Sequence, residues 1–321
     1  MNGLIHALQL DGQGGATQLD WEHAICADPA TGVIWTHLDY TDPTAAQWIN
    51  EGAGLSPLVA QALLDENTRP RGHEYPGGVL VALRGVNLNP GEDPEDMVAI
   101  RLWIEPGRII STRKRPLLSI REISAALLRG KGPKNPGEVV VSLSKRLIAR
   151  MSGVIEQIEE QTTELEELML ENTSLQARDQ LSQLRRKIIA LKRYLSPQRE
   201  ALEALQGMDT ELLSAAHAMG LRESNERLIR YIEDLNESRE RAAVLHEETL
   251  NRASDLMNQR MYVLSLVAAV FLPLGFLTGL LGINVGGIPG SENPQAFYIF
   301  IAILGATTGA MMGYFKHKRW L

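Results

Sequence analysis

Residues able to do chemistry are few in this sequence, and most of them are scattered. There is one cysteine, Cys26, and there are seven histidines, with no C-x-x-C and no H-E-x-x-H. The close sets of Cys, His and carboxylate that hold zinc tightly are therefore missing. His246-Glu247-Glu248 comes nearest. Repeated in an oligomer it supplies a ring of metal ligands; otherwise it is a solvated stretch. His73-Glu74, beside Arg71, has the same two readings. No Walker loop, dinucleotide fingerprint or nucleophile–base pair is present, so no catalysis and no cofactor are expected. What remains is Gly282-Ile283-Asn284. Gly permits unusual backbone angles, so the Asn284 amide and nearby carbonyls can be turned toward an axis. Around a ring, such neutral oxygens replace part of a cation's hydration and still release it. Alone, G-x-N is an ordinary turn tripeptide. Glu292, the only charge in the loop that follows, either recruits cations at a mouth or is a plain loop carboxylate.

The elements carrying this tripeptide give it meaning. Met261–Ser291 contains no Asp, Glu, Lys or Arg, and Tyr262–Leu281 is twenty nearly unbroken apolar residues. At the helical rise that is about 30 Å, the thickness of a bilayer's hydrocarbon core. A second apolar run, Phe297–Tyr314, follows, so residues 261–281 and 297–315 form a membrane hairpin around an outer loop, 282–296. Met261, Ser265, Ala268, Leu272, Gly275 and Gly279 share one face of the first span. That face suits a pore wall or an ordinary packed helix contact. Pro273 frees a carbonyl that protein or lumen water must satisfy. The tail, 316–321, carries Lys316, Lys318 and Arg319. The positive-inside rule then puts both termini in the cytoplasm.

The remainder is polar, with mean hydropathy −0.11 and net charge −7 over 321 residues. An acidic chain argues against nucleic acid and fits a protein that meets cations, although solubility explains it too. The lone cysteine excludes an internal disulfide, and no basic n-region precedes an apolar core, so no cleaved signal is expected. Residues 1–140 read as an α/β domain. Strands are expected at Leu4–Leu10, Val33–Leu38, Gly78–Val86, Val98–Ile104 and Arg108–Thr112, and helices at Thr44–Asn50, Ser56–Glu66 and Pro116–Arg129. Lys131–Gly137 reads as a linker. Residues 141–207 read as an acidic helix, Ser144–Leu170, joined to a basic one, Leu175–Gln206. Between Met151 and Glu171 there are seven Glu and no basic residue. Residues 208–260 read as a long stalk whose seam, Leu228, Tyr231, Leu235, Ser238, Ala242, Leu245 and Thr249, is heptad-like. So long a helix needs partners to bury that stripe, and self-association is expected.

With these features in place, the chain resembles the CorA superfamily of divalent-cation transporters and, within it, the ZntB-type zinc branch. The likeness covers essentially the whole chain. Leu83–Trp103 (LRGVNLNPGEDPEDMVAIRLW) and Gly282–Gly290 (GINVGGIPG) carry the zinc-branch character. The magnesium branch usually shows Gly-Met-Asn, where this sequence has Ile283. The resemblance implies a funnel-shaped homopentamer in a bacterial inner membrane, moving zinc inward, with proton coupling suggested for the branch. No ionisable side chain of either span offers to carry that proton. Gly282, Ile283 and Asn284 would be the outer selectivity element, and Met261, Leu264, Leu272, Gly275 and Gly279 fall where the family's pore-lining residues lie. Several magnesium members have Thr at the position of Gly275; Thr278, on a neighbouring face, is the available substitute. A magnesium or broad divalent channel of the same architecture, and a membrane-anchored helical scaffold, are the rival readings.

Overall fold

The computed structural model describes residues 3–26, 32–171, 175–282, 288, 290 and 293–318. Its contacts divide the chain into two compact units, Met1–His246 and Glu247–Leu321.

The first unit is built on seven strands: β1 (Leu4–Leu10), β2 (Ala16–Leu19), β3 (Val33–Asp39), β4 (Arg71–Tyr75), β5 (Gly78–Gly85), β6 (Val98–Glu105) and β7 (Arg108–Arg113). They form one sheet in the order β2-β1-β3-β7-β6-β5-β4, and only β3 and β7 run parallel. The five expected strands are present within a residue of their bounds. β5 is buried along its whole length, as an apolar run covered on both faces must be. The two strands not foreseen, β2 and β4, are the sheet's edges, where polar residues guard unpaired backbone. On β4, His73 and Glu74 are neighbours and so point to opposite faces of the sheet. They cannot share a metal.

Helices cover both faces. One face carries α2 (Pro43–Gln47), a π-helical turn at Trp48–Gly52 and α3 (Pro57–Leu64), packed on Leu38, Leu80, Trp103 and Ile110. Asp42 caps α2 and Ser56 caps α3 through backbone N–H groups of the first turn. Arg101, fully buried on this face, donates to the Asp65 and Glu66 carbonyls just beyond α3 and lies 4.8 Å from the centre of the Tyr40 ring. A short α1 (Trp21–Cys26) precedes β3. The other face carries the larger core, shared with α4 (Leu118–Leu128), α5 (Pro136–Ala149), α6 (Ser152–Glu171), α7 (Leu175–Gln206) and the start of α8 (Ala215–Gly282). α7 docks on β4 and β5 closely enough that a Cβ on Gly72 would lie 2.6 Å from Leu205 Cγ. Buried Gln198 takes the Arg84 backbone N–H at 2.6 Å.

Three expectations about the helices need correction. The residues read as a linker already open α5: Asn135 caps it by accepting the Glu138 N–H at 2.9 Å, and Pro136 starts it. The acidic helix does not run unbroken from Ser144, because the chain turns at Arg150-Met151, where Arg146 and Arg150 both close on Glu122 of α4. The stalk helix begins at Ala215 rather than near Asp209, after a bridge between Thr210 and Leu213. α6 and α7 are antiparallel, residues 161–168 facing 180–187, and apolar side chains hold them together: Leu165, Met169, Leu181, Leu184 and Ile188 are buried. Leu168 is 49% exposed, and Met169 beside it is buried. Glu166 of α6 is paired with Arg241 of α8.

The second unit holds the remainder of α8 and α9 (Ala296–His317). Both helices are long and apolar enough to cross a membrane. α8 passes through Pro273 without ending.

Candidate functional site

Membrane-length helices must satisfy their own backbone, and side chains then decide what each face can meet. In the last turns of α8, Met261, Leu264, Leu272, Gly275 and Gly279 lie within an arc of about 80° at the helical period, and Thr278 lies to one side. Leu264 and Leu272 are 70% and 75% exposed, and a Cβ built on Gly275 or Gly279 meets nothing within 4 Å. This arc is open to a partner, to lipid or to a lumen. The Thr278 hydroxyl donates back to the Leu274 and Gly275 carbonyls, each at 3.0 Å. Its proton is thus spent on the helix, while its oxygen lone pairs stay available. Pro273 cannot donate to the carbonyl one turn back, at Ala269. Gly282 is the last residue of α8, and Ile283, Asn284 and Glu292 lie outside the described residues.

The His246-Glu247-Glu248 stretch is helical, so its side chains fan out at about 100° steps rather than converging. Glu248 is paired with Arg252 one turn later. Among the described residues, no three His, Cys, Asp or Glu side chains come together as a metal-holding group.

The structure also brings together residues that the sequence did not single out. The stalk seam is buried within the chain, since α6 and α7 cover Leu228, Leu235, Ala242 and Leu245 of α8. Self-association therefore cannot be argued from that stripe. Apolar residues beyond it, Leu250, Leu256 and Met257, are exposed instead. Where α6 meets α8, Glu159 and Asp234 both titrate above the ordinary carboxylate range, first through desolvation and then through neighbouring carboxylates, Glu237 among them. The run Glu233-Asp234 with Glu237 was the available signal, but only tertiary packing shows that it faces another acid. On the sheet, His6 and His37 are cross-strand neighbours with ring centres 5.1 Å apart, beside Trp35 and Ser111.

With this geometry in hand, comparison with known proteins places the chain in company. A family model described as CorA-like Mg2+ transporter protein matches residues 30–317. The zinc transport protein ZntB of Pectobacterium atrosepticum is 37% identical, over 100% of this chain and 97% of that protein. The divalent cation transporter CmaX of Pseudomonas aeruginosa is 39% identical, over 99% and 97% of the two chains. Among solved structures, full-length CmaX superposes with a TM-score of 0.82 at 38% identity, covering 99% of this chain and 98% of its own. The CorA magnesium transporter of Methanocaldococcus jannaschii gives 0.80 over 99% of each chain at 18% identity, a likeness of fold alone.

Proposed function

The chain belongs to the CorA-like family of metal-ion transporters, and from that premise we propose that it carries divalent cations, zinc foremost, through a pore made by several copies of itself, five by family resemblance. The observation that carries this reading is α8: it continues into Met261–Gly282, which holds no Asp, Glu, Lys or Arg and is membrane-length. Two spans in one chain cannot enclose a path for a polar solute, but several copies around an axis can. Met261, Leu264, Leu272, Gly275 and Gly279 would line that path, with the Thr278 oxygen at its flank. Gly282, Ile283 and Asn284 would form its outer selectivity element, and Glu292 would gather cations at the mouth.

A divalent ion crossing such a wall meets apolar constrictions and neutral oxygens, so it travels largely hydrated and is held weakly. The scarcity of close His, Cys and carboxylate sets is compatible with that mode of passage. His246, Glu247 and Glu248 act as metal ligands only if copies bring them into a ring. The protein sits in the inner membrane with both termini in the cytoplasm and works as an importer; lipid and its own copies are its partners, and nucleic acid is not. The work is transport, with no cofactor and no chemical turnover.

Zinc and magnesium flux into proteoliposomes, with and without an imposed pH gradient, tests the proposal. Zinc entry that a pH gradient accelerates is expected. Magnesium entry without zinc entry would move the protein to the magnesium branch. No flux of either ion would leave a membrane-anchored scaffold.

A further inference from the structure

We propose that the outward faces of α6 and α7 are the two halves of a head-to-tail interface between copies of this chain, the acidic face of one protomer meeting the basic face of the next. This rests on the self-assembling pore proposed above and assigns it a contact surface.

Glu156, Glu160, Glu164 and Glu167 recur at spacings of four, four and three and are all exposed. At the helical period they share an arc of about 80°, opposite the buried seam of Val154, Ile158, Leu165 and Met169. Among the described residues none of the four has an ion-pair partner. Arg241 of α8, which reaches α6, is taken by Glu166. Glu159 of α6 and its like-charged neighbours Asp234 and Glu237 of α8 add to the negative field. A folded chain that gathers this much unbalanced charge is suited to a cationic partner.

The complement is on α7. Ser182, Arg186, Ile189 and Arg193 recur at spacings of four, three and four, opposite that helix's buried Leu181, Leu184, Ile188 and Leu195. Arg186 and Arg193 make no ion pair among the described residues; the Arg193 guanidinium lies 5.5 Å from the centre of the Tyr194 ring. Ile189, between them, is 59% exposed. An apolar centre with charged flanks is the composition of a specific contact rather than of a solvated face. Within one chain Glu164 edges the groove between the two helices, beside Lys187, but the rest of each face lies opposite the buried seam, so the two faces do not meet. A rotation that sets one copy's α6 against the next copy's α7 satisfies both faces, and such a heterologous contact builds a ring when the rotation is a whole fraction of a turn.

Two experiments on the full-length protein in detergent test this. In a Cys26→Ser background, Glu160→Cys combined with Ile189→Cys should oxidise into a ladder of covalent oligomers on a non-reducing denaturing gel, while either cysteine alone gives nothing beyond dimer. Glu156→Lys/Glu160→Lys/Glu164→Lys should raise the protein concentration at which the assembly dissociates by about tenfold at low salt, as should Arg186→Glu/Arg193→Glu, because like charges then face each other, and added salt should relieve the defect. Combining the two sets should restore the assembly, which a mere folding defect would not do. An assembled parent with no ladder, and with variants that dissociate as the parent does, overturns the interface while leaving the pore reading intact. A parent that is monomeric overturns both. If the lysine variant keeps its assembly and loses only bound zinc, the acidic face collects cations and the interface is refuted.

Discussion

His37 is fully buried, and its Nδ1 lies 2.8 Å from Ser111 Oγ, which also accepts the Trp35 Nε1–H at 2.8 Å. Among the described residues neither its Nε2 nor that of His6 has a hydrogen-bond partner. Burial, with the Arg113 guanidinium nearby, holds both rings neutral: His6 is lowered to about 4 and His37 well below its ordinary value. In the unfolded chain both histidines take a proton near pH 6.5. The unfolded state therefore binds more protons as pH falls below that value, and the fold loses stability from there down to about pH 4, where His6 itself protonates. His6 alone accounts for a loss of about 3 kcal/mol across the window. Thermal unfolding followed from pH 7.5 to 4.5 should show a falling Tm, and His6→Gln/His37→Gln should flatten the fall while lowering the Tm at neutral pH. An equally steep fall in the double variant sinks the assignment. Nothing in the sequence paired these two residues, which lie far apart in the chain; the register of β1 on β3 does. Asn284 is the reverse case. Its motif is singled out from type and setting alone, and Ile283 and Asn284 lie outside the described residues. Asn284→Ala should cut zinc flux by about tenfold or more with assembly intact, since a ring of weak oxygen ligands acts collectively. Unchanged flux removes its selectivity role.

At the scale of elements, what could be read in advance was whatever has a period and an apolar payload. β1, β3, β5, β6 and β7 were legible because their side chains enter a core on at least one face, whereas edge strands β2 and β4 are polar and carry no such signal. The break between α5 and α6 was hidden because it depends on Glu122, a residue of another helix, gathering Arg146 and Arg150. The α8 arc was legible by spacing, but spacing alone does not tell a pore wall from a packed contact. Side-chain size does. Gly275→Leu fills space that the glycine leaves open. If Gly275 faces a lumen, zinc flux should drop by about tenfold or more, with oligomer mass unchanged. Val263→Leu, on the opposite side of the helix, should leave flux as it was. Equal effects of the two substitutions on flux would mean that the arc is a packing surface.

For the whole molecule, the division of burial carries the consequence. Nearly every residue of the two apolar cores lies before His246, including the stalk leucines Leu228, Leu235 and Leu245 that α6 and α7 cover. Beyond that point the exposed side chains are largely apolar: Leu250, Leu256, Met257 and the faces of both spans. Such surface is stable only against lipid or other protein. The first unit therefore owes its fold to its own core, and the second to its surroundings. Residues 1–246, expressed alone, should be soluble and helical, with a single cooperative melt that does not require detergent. The full chain should need detergent or lipid to stay dispersed, and stripping it should precipitate the chain before the far-ultraviolet signal of the first unit is lost. If the truncated chain is instead molten, with no cooperative transition, the stalk seam draws its stability from other copies. Coverage by α6 and α7 within one chain would then be insufficient, and self-assembly would become a condition of folding.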